Sequence, residues 1–156
     1  MFTVSVVAPI NEGSEPVLTP DQVWSGLEHH VRASDLRFVP PGHDFKVIES
    51  DAYGVIRRAI LSGGGQSREA LQRVTFHNKR VMVMSTLEPF TLRIVSLEVN
   101  DEGNYCLRLT ISAEKAGAPH AGPEEREAAG RQRCAALAAA RRWIDVTRQL
   151  VKDGEL

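Results

Sequence analysis

Between Asp44 and Glu114 the chain breaks into short runs of β-branched, aliphatic and aromatic residues separated by turns of only a few residues. The runs read as strands at about 44–50, 53–61, 70–77, 80–87, 91–99 and 104–113. They are joined at Ser50-Asp51, Ser62-Gly63-Gly64-Gly65, His77-Asn78-Lys79, Glu88-Pro89 and Asn100-Asp101-Glu102-Gly103, all of them turn chemistry. A parallel crossover needs about a dozen residues or more, so connections this short force antiparallel neighbours and hence a meander. Phe2 to Ile10 alternates loosely and is β-branched, which adds a seventh strand at the start of the chain.

Two short helices are expected between that strand and the meander. In Leu18-Thr19-Pro20-Asp21-Gln22-Val23, Thr19 can cap, Pro20 suits the first helical position, Gln22 completes a capping box and Leu18 can staple against Val23. The helix should run to about Val31, with Val23, Trp24, Leu27 and Val31 forming one buried stripe. Ser34 is the expected cap of the second, shorter turn, which Pro40-Pro41-Gly42 must end.

After the breaker-rich stretch Gly117 to Gly122, Pro123 and two glutamates open a long helix that continues to about Lys152. At 100° per residue, Ala135, Ala136, Leu137, Ala139, Ala140, Trp143, Ile144, Val146, Thr147, Leu150 and Val151 share one broad arc. Arg141, Arg142, Asp145, Arg148 and Gln149 lie opposite. An arc wider than a surface stripe implies that something concave grasps the helix. Ala129, Ala136 and Ala140 at its middle are too small to fill space against a bent sheet, which leaves room for a cavity. The fold class that follows is α+β: a seven-stranded curved antiparallel sheet wrapped around a long C-terminal helix, in one domain over 1–156.

Composition excludes several function classes. Nineteen basic against 20 acidic residues, a net charge of -1, provide no electrostatic case for nucleic acid or an anionic membrane surface. No apolar run approaches the roughly 18 residues of a membrane span. The two cysteines, Cys106 and Cys134, and an N-terminus without a secretory pattern fit a reducing, cytoplasmic setting. Five histidines occur without His-Glu-x-x-His or cysteine spacing, so no metal is expected, and no cofactor motif is present. The glycines at 63–65 lack the Gly-Lys-Ser/Thr ending of a phosphate loop and read as a hairpin connection.

The order of elements resembles the helix-grip fold of the birch-pollen-allergen and START-like superfamily (SRPBCC). Several stretches look like its AtaL-like branch: Val7-Ala8-Pro9-Ile10-Asn11, Leu18-Thr19-Pro20-Asp21-Gln22-Val23-Trp24-Ser25-Gly26-Leu27, Phe38-Val39-Pro40 and Ile56-Arg57-Arg58. The resemblance implies a hydrophobic pocket between sheet and C-terminal helix, often in proteins encoded beside secondary-metabolite pathways. It supplies no catalytic motif to carry over, and a fold alone licenses no reaction.

Candidate pocket residues follow from parity. Adjacent strand residues point to opposite faces, so one of Arg57 and Arg58 must point into the grip; Arg58 is the pocket candidate and parity leaves Arg57 open. Such a guanidinium needs an acceptor, whether Glu98, Glu114 or an oxygen on the ligand. Arg73 raises the same question from a face shared with Thr75 and His77. Met82 and Met84 share a face and suit either a core or an adaptable pocket. Leu107, Leu109 and Ile111 should face the helix, where Ala136, Ala140, Trp143 and Thr147 look down on them, with Trp24 and Leu27 contributed by the first helix. Cys134 near Arg141 and Cys106 after Tyr105 read as inert thiols, no histidine being placed to act as a base.

The expected function is binding of a hydrophobic small molecule, a lipid, polyketide or other natural-product intermediate, with cyclisation, isomerisation or dehydration as the reaction it could carry. A non-catalytic carrier or sensor, and an interaction module with a filled core, stay open beside it. The ligand, the presence of any reaction and a homodimer are undetermined at this level.

Overall fold

A computed structural model describes residues 2–63, 66–87, 90–113 and 123–156. The Glu88-Pro89 turn, the last two residues of the glycine run, Glu114 and the Gly117–Gly122 stretch lie outside the described residues. The strands are β1 (Phe2–Pro9), β2 (Asp44–Ser50), β3 (Gly54–Gly63), β4 (Gln66–His77), β5 (Val81–Thr86), β6 (Thr91–Val99) and β7 (Tyr105–Ala113), with helices α1 (Pro20–Ala33) and α2 (Pro123–Lys152). All seven strands form one antiparallel sheet in the order β1-β7-β6-β5-β4-β3-β2. The meander therefore runs unbroken from β2 to β7, and β1 closes against β7. The hairpin of β3 and β4 reaches farther than the residue pattern suggests, because Gly63 still pairs with Gln66.

Local chemistry at the start of α1 is the expected one. The Gln22 amide donates to Thr19 Oγ1 at 3.2 Å and the Thr19 amide to Gln22 Oε1 at 2.9 Å, a reciprocal capping box. Asn11 steadies the approach, its side chain bonding both the amide and the carbonyl of Leu18 at 2.9 Å. The second helix of the expected pair is a three-residue 3₁₀ turn, Leu36–Phe38. Its cap is Asp35 and not Ser34: the Asp35 carboxylate accepts from the Arg37 amide at 3.0 Å, while Ser34 ends α1 with φ 51° in the left-handed region. The carboxylate reaches Arg37 two residues on and leaves Ser34 the role of chain reversal.

α2 packs across β1 and β7 and is covered on one side by α1 and the 3₁₀ turn. At the α1–α2 contact Gly26 faces Thr147, and a Cβ on Gly26 would overlap the Thr147 side chain. The absence of that methyl is what lets the helices close. Arg148 corrects the helical wheel, since it is buried and does not belong to the solvent arc. Its guanidinium donates to the carbonyls of Ile10 (2.6 Å) and Pro16 (3.2 Å) and to Asn11 Oδ1 (3.3 Å), tying the β1–α1 connection to the helix. Val4, Val6, Ala8, Leu18, Leu27, Val31, Leu107 and Leu150 form the dense end of the core. No described helix is long and apolar enough to cross a membrane.

Candidate functional site

At the other end of the grip the core is hollow. A cavity of about 280 Å³ lies between the concave face of β3–β7 and the middle of α2, roughly nine times a water's share of liquid volume. Ala135, Ala136 and Ala139 of α2 form its roof, Ala59 and Ala70 part of its floor, and Met84, Leu109 and Ile111 its deep apolar side. Small residues facing each other across a curved sheet create the space. The 3₁₀ turn and the segment after it supply the remaining wall through Phe38, Val39 and Pro40. Trp143 pins that wall by donating its indole N–H to the Phe38 carbonyl at 3.1 Å.

His30 reaches the same wall from α1 and stacks on Phe38 with ring centroids 5.0 Å apart. Its Nδ1 is buried without a partner. Burial first, and the Arg57 charge second, push its pKa down from 6.5 to about 3, so the imidazole is neutral at pH 7.

Arg57 is the most unusual residue of the interior, 1% exposed in the middle of β3. Its Nε donates to Gln72 Oε1 at 2.7 Å, across the β3–β4 pair that sets Arg57 opposite Gln72. Its guanidinium carbon lies 3.8 Å from the centroid of the Phe45 ring, a cation–π contact that offsets part of the desolvation. Nη1 has no partner. Burial, and then the charge of Arg93, lower its pKa from 12.5 to about 9, which still leaves it protonated at pH 7. Arg93 projects into the same cavity from β6 and is also lowered by burial. Among the described residues no acid lines the cavity and neither guanidinium has an ion-pair partner. Arg68, a third guanidinium, is exposed near the end of the β3–β4 hairpin.

A family model described as AtaL, "Acetylaranotin biosynthesis cluster protein L", matches residues 4–154. The chain belongs to the AtaL family. A search of curated proteins finds no match. Among solved structures, this AtaL-family chain is similar to the Zhui aromatase/cyclase from Streptomyces sp. R1128, with TM-score 0.68, 16% identity and 96% of this chain and 95% of that one covered. It is similar to Ara h 8.0201, with TM-score 0.62, 9% identity and coverage of 92% and 97%. It also matches the di-domain aromatase/cyclase StfQ of the steffimycin biosynthetic pathway, with TM-score 0.70 and 8% identity, over 97% of this chain and 52% of that one. At these identities the likeness establishes the helix-grip fold.

The structure brings Met84, Leu109, Ile111, Ala136 and Trp143 of the expected set to the cavity. Trp24, Leu27, Met82, Leu107 and Ala140 are buried in the packed core and do not line it. Thr147 faces Gly26 of α1 and donates its hydroxyl to the Trp143 carbonyl at 2.7 Å, so it does not overlook the sheet. Arg58 and Arg73 are corrections of another kind: both are exposed on the convex face. In β3 the alternate sets Val55-Arg57-Ala59 and Ile56-Arg58-Ile60 are equally aliphatic, so parity could not choose between them. Glu98, a proposed acceptor, instead pairs with Arg108 at 2.9 Å. Residue reasoning missed Arg93, Gln72, His30, Phe45 and Thr86. Arg93 alternates with Val95 and Leu97, a signal that Leu92 and Ile94 on the other face obscured.

Proposed function

We propose that this protein binds a hydrophobic small molecule, of the size and character of a polyketide or other natural-product intermediate, in the cavity under α2. The observation that carries this reading is a cavity of about 280 Å³ with a largely apolar lining that includes Arg57, a buried arginine whose Nη1 has no partner. That volume is close to the lower end of small-molecule sites, and apolar walls with a few convergent polar groups are their usual make-up. It counts against a core filled by its own side chains. Membership in the AtaL family, and likeness to proteins whose names describe aromatase/cyclases, support the same class of ligand.

The chemistry such a site supports is cyclisation, isomerisation or dehydration. The walls would hold a flexible chain in a reactive shape, and the guanidiniums would stabilise negative charge as it develops on a carbonyl oxygen. The non-catalytic carrier has an observation in its favour too: His30, with its pKa near 3, is a weak base at pH 7.

Native mass spectrometry of the protein purified from its own host, with organic extraction, tests the reading. A co-purifying apolar compound that is altered on incubation supports an enzyme. One returned unchanged supports the carrier, and a protein that is empty and fails to take up apolar compounds overturns both.

A further inference from the structure

We infer that the ligand is an anion in its ground state, an apolar molecule bearing a carboxylate, and that Arg57 and Arg93 together form the seat for that group. The inference rests on the ligand-cavity reading above and names its substrate class. Arg57 is 1% exposed, one of its nitrogens is committed to Gln72, and Nη1 is buried with no acceptor. An orphaned charged donor in the interior is strongly disfavoured unless something outside the chain completes it. The second cation in the same space is the deciding feature. A ketone or hydroxyl on a neutral ligand could accept the Nη1 hydrogen, yet it would leave two like charges lining one space without a counter-charge from any described residue. A carboxylate accepts from the donors and places a counter-charge between the two guanidiniums, halving their net charge, and the planar guanidinium matches its two oxygens.

The surroundings discriminate as well as attract. Gln72 orients Arg57 from one side and Phe45 supports its flat face, so the guanidinium has little freedom to turn away. Met84, Leu109 and Ile111 then meet the apolar body. The lining contains no aspartate or glutamate among the described residues, so nothing in it repels an incoming carboxylate.

The test compares phenylbutyrate with phenylbutyramide, nearly isosteric and differing in charge, by titration calorimetry against the intact protein. The carboxylate should bind roughly tenfold to a hundredfold more tightly, the range for a hydrogen bond to a charged group. Arg57→Met and Arg93→Met, checked for folding by circular dichroism, should each reduce that preference, whereas Arg58→Met, at an exposed arginine outside the lining, should preserve it. Equal binding of acid and amide by the unaltered protein overturns the inference and leaves the apolar cavity standing. Binding of neither overturns both, and a preference that survives loss of either Arg57 or Arg93 overturns the assignment of the seat.

Discussion

His30 and Arg57 sit in surroundings that disfavour their charged forms, and both line the same hollow. For His30 the folded pKa near 3 lies below the unfolded value of 6.5, so the unfolded chain binds more protons between those limits. Stability is therefore complete above pH 6.5 and falls as pH drops through the window toward 3. Asp35, whose carboxyl is held low chiefly by the Arg37 hydrogen bond, adds its own loss only below its ordinary value of 3.8. Denaturant titration of the native chain from pH 6.5 to 4 should show a decline of a few kcal/mol, and His30→Gln should flatten it. For Arg57, Arg57→Met removes an uncompensated buried charge, so the ligand-free variant should melt at a higher temperature than the native protein. A lower melting temperature would mean that the Gln72 bond and the Phe45 contact outweigh desolvation. Chemistry at this scale was only half legible: the Ile56-Arg57-Arg58 sequence announced an inward arginine, but not which one. The choice depends on strand parity, and β2 beside it carries a register shift between Val47 and Glu49.

Among the elements, α1 was readable almost atom by atom, because capping is a contest between groups within four residues. Thr19→Ala removes one half of the capping box and should cost about 1 kcal/mol, measured as a shift of the denaturation midpoint at unchanged slope. The α1–α2 junction was not readable, since Gly26 and Thr147 are distant in sequence and nothing local signals that they touch. Gly26→Ala should destabilise by about 1–3 kcal/mol through overpacking, although alanine favours an isolated helix. Pairing it with Thr147→Ser or Thr147→Ala should restore part of the loss, which a thermal melt of the double variants would detect. Arg148 makes the same point: on a helical wheel it belongs with Asp145 and Gln149, yet the β1–α1 connection brings three oxygen acceptors to it. A wheel orders residues around one axis and is blind to a loop that covers it.

For the whole molecule, the central observation is that one end of the grip packs and the other does not. Leu107 and Leu150 fill the first, while alanines of α2 face alanines of β3 and β4 in the second. Ala136→Leu should fill the hollow, raising stability by about 0.5–2 kcal/mol while abolishing uptake of apolar ligands in a calorimetric titration. A variant that still binds would place the ligand elsewhere. The architecture as a whole was legible from local rules. Turns of a few residues between β-patterned runs permit only antiparallel neighbours, and a helix with an apolar arc wider than a surface stripe needs a concave partner; both constraints act within short stretches of chain. Tertiary structure alone decided what the hollow contains. Which arginine enters it, that Arg93 joins Arg57, and that no described acid follows them depend on register across strands far apart in sequence. A shift of one residue exchanges the two faces of a strand, and in β3 the faces are too alike for hydrophobic pattern to set that register.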